Sequence, residues 1–138
     1  MSTPGHAAIA TLIADYRNPA HAEAVVSLLD SYARDPAGGG TPLDAAVREA
    51  LPAALAARPQ AFSVLAYDGE RAVGLINCIE GFSTFACKPL VNVHDVVVRP
   101  SHRGLPRLTG GTLSQRTLRR KGISALLAEM SRLVIHGA

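Results

Sequence analysis

Residues 90–98 read Leu-Val-Asn-Val-His-Asp-Val-Val-Val, and Arg99-Pro100 follows at once. Valine stands at 91, 93, 96, 97 and 98. β-Branched side chains pack well on a pleated surface and have few rotamers to lose there. A half-solvated strand would alternate apolar and polar residues. Three successive valines instead predict a central strand covered on both faces. Proline lacks an amide donor and closes the run. The rest of the chain must therefore supply flanking strands and a covering layer.

The chain order meets that demand. Residues 8–16 (AIATLIADY) predict a first strand. Asn18-Pro19 is a helix start, with asparagine as cap and proline at the first helical position. Val25, Leu28, Leu29 and Tyr32 then recur as one buried helix face. Asp35-Pro36 and three glycines end this helix. Thr41-Pro42 repeats the start signal, and Leu43, Val47, Leu51 and Leu55 predict a second amphipathic helix with Asp44 in its first turn and a kink or split at Pro52. Strands follow at 61–67 and 71–79, joined at Asp68-Gly69, a tight-turn pair. A polar and aromatic connection (GFSTFACKP) leads to the valine strand. Residues 122–133 are helical by the spacing of Ile123, Leu126, Leu127 and Met130. The order β-α-α-β-β-β-α gives an α/β (α+β) fold in one domain, residues 1–138, a length that supports a single core.

Composition narrows the function classes. No apolar run reaches the roughly 20 residues of a membrane span. The N-terminus carries no basic residue ahead of its apolar stretch, against a secretory leader. Cys78 and Cys87 form no metal-ligand spacing, and two thiols fit a reducing, cytoplasmic setting. The five histidines are too scattered for a metal site. Seven of the fourteen lysines and arginines lie between Arg99 and Lys121, with no acid among them. Residues 105–120 hold four arginines, so the remainder of the chain has a net charge of −1 against +3 for the whole. The positive charge describes one loop. That favours a local anion site over a nucleic-acid-binding face, which would also interleave aromatics with its basic residues.

The sequence VVVRPSHRG (96–104), followed by KGISALL (121–127), resembles the GCN5-related N-acetyltransferases (GNAT). That family pairs a valine-rich strand with a proline turn and an Arg/Gln-x-x-Gly-x-Gly/Ala loop that opens a helix. The upstream order of elements matches as well, so the resemblance runs over about residues 8–133. Independently of the family, successive backbone N–H groups at a helix start can cradle a pyrophosphate. Gly122 lets backbone approach phosphate, and the small Ser124 keeps the helix start clear.

The resemblance implies acetyl-CoA as cosubstrate, without a metal, and an amine as acceptor, either a small molecule or a peptide. It implies pantetheine contacts along Val96, Val97 and Val98. Pyrophosphate contacts would come from Arg103, Gly104, Arg119, Arg120, Lys121, Gly122, Ile123 and Ser124. A backbone N–H of the valine strand would polarise the thioester carbonyl while the amine attacks directly, its proton taken by a base. The candidate bases are Asp95, His94 and Glu80. As neighbours on a strand, His94 and Asp95 are expected on opposite faces. Each has a plainer role: Asp95 as a structural carboxylate, His94 as a packed and hydrogen-bonded ring, Glu80 as a solvated strand end. Ser83 and Thr84 are further candidates for the acceptor site, against turn hydroxyls. His102 reads as an exposed turn residue.

The chain departs from the family pattern twice. Residues 105–120 read as an inserted basic loop between Gly104 and Lys121, although Arg119-Arg120-Lys121-Gly122-Ile123-Ser124 also keeps the motif's spacing. The family's later strand, helix and hairpin have no counterpart, so a truncated C-terminus is expected. One edge of the valine strand would then stand open or pair with a second copy of the chain. Two alternatives to the transferase remain: an inactive remnant that acts as a binding module, and nucleic-acid binding through residues 99–121.

Overall fold

The computed structural model describes residues 9–102 and 117–119, the last three as backbone only. It comprises strand β1 (Ile9–Ile13), helix α1 (Pro19–Arg34), helix α2 (Ala45–Ala56) and strands β2 (Ala61–Asp68), β3 (Arg71–Ser83), β4 (Lys88–Val98) and β5 (Thr117–Arg119). The strands form one sheet in the order β1-β2-β3-β4-β5, every pair antiparallel. The α+β class and the order β-α-α-β-β-β are as expected. The predicted helix at 122–133 lies outside the described residues.

Helix α1 starts where the cap chemistry places it. The Asn18 side chain accepts from the amides of Ala20 and His21, and Pro19 takes the first helical position. Its buried face, Ala24, Val25 and Leu28, packs on Leu65, Leu75 and Val97 of the sheet. A second cluster, formed by strand residues of opposite parity, holds Val64, Ala66, Val73, Ile76, Cys78, Val91, Val93 and Val96. The valine strand is thus buried on both faces, which is why its sequence does not alternate.

Helix α2 differs from its prediction. It begins at Ala45, not after Thr41, because the Leu43 amide is held by Asp30 Oδ1 at 2.9 Å and Asp44 is extended. That bond, with the nearby Arg34 at 2.9 Å, keeps the Asp30 carboxyl below its usual range. Pro52 does not split the helix. None of its residues is buried, and Val47 is 44% exposed.

The β2–β3 turn is Gly69-Glu70, one residue later than expected, with Gly69 in the left-handed region at φ 63°. The β3–β4 hairpin is longer than predicted. Both strands extend into the aromatic connection, leaving a four-residue turn with Phe85 fully exposed at its tip. Ser83 Oγ accepts from the Ala86 amide at 3.1 Å, so this hydroxyl stabilises the turn.

The expectation for residues 105–120 changes at one point. Thr117–Arg119 pairs with residues 90–92 of β4, so the chain's own backbone covers that part of the edge. Beyond Asn92, no described strand pairs with β4 on that side.

Candidate active site

The site is set by one irregularity in β4. Along the β3–β4 ladder Asn77 faces Asp95, but the next pair is Cys78 with Val93. His94 is the extra residue of a β-bulge. The bulge interrupts strict alternation of side chains at His94 and Asp95. Both border one cavity of about 230 Å³ between the sheet and the two helices. His94 is exposed, which also rules out the packed ring.

Tyr16, Asn77, His94 and Asp95 form the polar part of the lining. Leu29 of α1, Leu51 and Leu55 of α2 and Ile79 of β3 form the apolar part, with Phe62 and Cys78 also at its border. The weak burial of α2 now has a reason: Leu51 and Leu55 line a cavity, and Leu55 reaches the core only at its edge.

A chain of side-chain hydrogen bonds crosses the sheet on this face. Tyr16 Oη lies 2.7 Å from Ser63 Oγ, Ser63 Oγ lies 2.6 Å from Asn77 Oδ1, and Asn77 Nδ2 lies 3.2 Å from Asp95 Oδ2. Chemistry fixes the direction. An ionised carboxylate only accepts, so the Asn77 amide must present nitrogen to it and oxygen to Ser63. Ser63 spends its single proton on that oxygen, and Tyr16 must therefore donate to Ser63. Every donor points toward Asp95. Ser63 is 0% exposed. Among the described residues no buried side-chain nitrogen or oxygen lacks a partner. The amide in the middle does not pass protons readily, so the chain holds and orients Asp95 without serving as a proton wire.

Electrostatics agree with this arrangement. Burial raises the Tyr16 phenol above its usual range, with the Ser63 bond partly opposing the shift. Burial, and then the negative charge of Asp95, push the Cys78 thiol from 9.0 to about 12. Cys78 is thus a neutral packing residue and not a nucleophile.

The other candidates fall elsewhere. Glu80 is half-buried opposite Val91, on the other face of the sheet, and does not border the cavity. Val96, Val97 and Val98 follow the bulge on β4, where β3 occupies one edge. Arg119 lies in β5 as the partner of Leu90, six residues from Val96 and so roughly 20 Å along the strand. Its backbone is not brought to Val96–Val98. Arg103, Gly104, Arg120, Lys121, Gly122, Ile123 and Ser124 lie outside the described residues. Among the described residues no group of three or more His, Cys, Asp or Glu comes together as a metal site, and no helix is long and apolar enough to cross a membrane.

Arg99, counted with the basic run, and the neighbouring His102 are both engaged in structure. Arg99 Nε donates to the Ala72 carbonyl at 2.8 Å, and its terminal nitrogen lies 3.3 Å from Ser27 Oγ. His102 is not an exposed turn residue. Its Nε2 meets Asp68 Oδ2 at 2.9 Å, and its Nδ1 lies 2.8 Å from Ser101 Oγ. The end of β4 is therefore fastened to α1 and to the β2–β3 hairpin before the chain enters the basic segment. Sequence reasoning missed Tyr16, Ser63 and Asn77. The available signal was a polar residue at a core-facing position of two otherwise apolar strands.

No family model and no curated protein matches the chain. Solved structures do. A possible acetyltransferase from Clostridium difficile 630 superposes with a TM-score of 0.58 at 16% identity, over 88% of this chain and 66% of that one. Ribosomal-protein-alanine N-acetyltransferase from Brucella melitensis biovar Abortus 2308 gives 0.55 at 19% identity, over 88% and 67%. An aminoglycoside acetyltransferase from an uncultured soil metagenomic sample gives 0.51 at 17% identity, over 95% and 75%. This chain thus spans about two thirds of the length of the first two. Strand order, helix placement and these superpositions together give the chain the fold of the GCN5-related N-acetyltransferases.

Proposed function

We propose that the chain is an acetyl-CoA-dependent N-acetyltransferase that moves an acetyl group to a primary amine by direct attack. The observation that carries this reading is the bulge at His94. It brings Asp95 into a cavity beside the stretch of β4, residues 93–98, that has no described strand on its outer edge. A strand edge offers main-chain donors and acceptors to an extended ligand. The amide-like pantetheine of acetyl-CoA fits such an edge, with Val96, Val97 and Val98 as its contacts. Arg103, Gly104 and residues 120–124 are proposed for its phosphates on sequence grounds.

In this mechanism Asp95 binds the acceptor ammonium and takes up a proton as the amine becomes nucleophilic. Asn77 fixes the carboxylate by its hydrogen bond to Oδ2. A β4 amide donates to the carbonyl oxygen as charge develops there. The carbon–nitrogen bond forms, the carbon–sulfur bond breaks, and the nitrogen's second proton goes to the departing thiolate, which leaves as the thiol. His94, exposed at the cavity, passes the proton onward to solvent. The domain is proposed to comprise residues 1–138 with 105–120 inserted, acting in the cytoplasm. Pairing of two copies through the β4 edge would compete with the cosubstrate for the same backbone groups.

Titration of acetyl-CoA into the folded protein, with mass spectrometry of an added amine pool, tests the reading. Bound acetyl-CoA and a product heavier by one acetyl group are expected. Binding without product would indicate a binding module. Neither binding nor product would overturn the proposal.

A further inference from the structure

The cavity beside Asp95 says more about the acceptor than the fold does, and its bearing on the acceptor rests on the transferase reading. We infer that the acceptor is a small primary amine with one positive charge and an apolar alkyl or aryl body, not a polycationic sugar. Three observations carry this. The volume, about 230 Å³, falls below the roughly 300–1,000 Å³ of pockets that hold drug-sized ligands. The walls away from the carboxylate are aliphatic: Leu29, Leu51, Leu55 and Ile79. Asp95 is the one acid among the described lining residues.

Each observation acts against a polyamine or an aminoglycoside. A second ammonium group would enter the aliphatic part of the cavity without a counter-charge, and ring hydroxyls set against Leu29, Leu51, Leu55 and Ile79 would lose water without gaining a partner. An apolar body loses nothing there and gains from leaving water. The single ammonium reaches a carboxylate already fixed on its other side by Asn77. The aminoglycoside acetyltransferase that shares the fold is thus no guide to this chain's acceptor, since the cavity selects on different chemistry.

The experiment uses the full chain and three probes: 2-phenylethylamine, its neutral counterpart 2-phenylethanol, and kanamycin. Each is titrated into the protein with and without acetyl-CoA, and acetylated amine is measured by mass spectrometry. Phenylethylamine is expected to bind about ten- to hundred-fold more tightly than phenylethanol, the range of one charge-assisted hydrogen bond. Asp95→Asn should remove that advantage, and kanamycin should bind no better than phenylethanol. Equal binding of the amine and the alcohol, a preference for kanamycin, or no binding of any probe would overturn the inference. A protein that takes phenylethylamine through Asp95 but does not bind acetyl-CoA would sink the transferase reading and leave the cavity assignment standing.

Discussion

The two ends of β4 share one strand and one set of side-chain types, yet they do different work. Up to Val93 the strand is paired on both edges along residues 90–92 and serves as core. From Asp95 onward it pairs with β3 alone among the described strands, and its first residue ends a polar chain that crosses the sheet. A single extra residue, His94, separates the two regimes. Side chains alternate with period two, so one inserted residue lets valines 91, 93 and 96 share a face while Asp95 turns toward the helices. A bulge thus lets one strand be central core and site wall at once.

The sharpest way to break the comparison is to delete His94. The pairs Asn77 with Asp95 and Cys78 with Val93 would then follow each other as a regular ladder, with Val91, Val93 and Val96 still on one face. The local kink and extra twist of the bulge would be lost, and with them the placement of Asp95 against the cavity. Acetyl transfer is expected to fall while a cooperative unfolding transition by circular dichroism persists. His94→Ala keeps the bulge and should change stability by less than about 0.5 kcal/mol, as exposed positions do.

Asp95→Asn separates chemistry from fold. Acetyl transfer should fall about 10²–10⁴-fold, the usual contribution of a positioned acid–base group, while the melting temperature stays near that of the parent. Steady-state turnover beside a thermal melt reads both.

Ser63→Ala is expected to do both, more mildly. It strands Asn77 Oδ1 and the Tyr16 hydroxyl, a cost of about 1–3 kcal/mol in denaturant unfolding. If Ser63 only packs, turnover per folded molecule will not change. If it positions Asp95, turnover falls and Ser63→Thr, which keeps the hydroxyl, recovers part of it.

The smallest effect distinguishes the two thiols. The folded chain holds the Cys78 proton up to about pH 12, while an unfolded thiol loses it near 9.0. Between those values the folded state binds more protons, so stability is full below about pH 9 and declines as pH rises through the window. Cys78→Val should flatten that decline in alkaline unfolding curves. In the native state a thiol reagent should modify the exposed Cys87 well before the buried Cys78.

Much of the architecture was legible from local chemistry. Asn18-Pro19 states where α1 begins, and three successive valines state that β4 is covered on both faces. The start of α2 was not legible. Asp30 captures the Leu43 amide from thirteen residues away, which no local signal at Thr41-Pro42 reports. The bulge was hidden for a related reason. The run Val-Asn-Val-His-Asp-Val fits an unbroken strand equally well, and only pairing with Asn77 and Cys78 shows which residue is extra. Asp95 and His94 could be named as candidates because their side chains are reactive. Ser63 and Asn77 could not, since each is an ordinary polar residue until the sheet sets it beside the next.

The proposed chemistry turns on Asp95 serving an amine at the point where β4 loses its second described neighbour. The most direct test is the acetylated 2-phenylethylamine formed from acetyl-CoA by the parent protein and by Asp95→Asn, with acetyl-CoA binding measured on both. Product is expected from the parent, little or none from the variant, and equal acetyl-CoA binding. Equal product from both proteins would contradict the role given to Asp95.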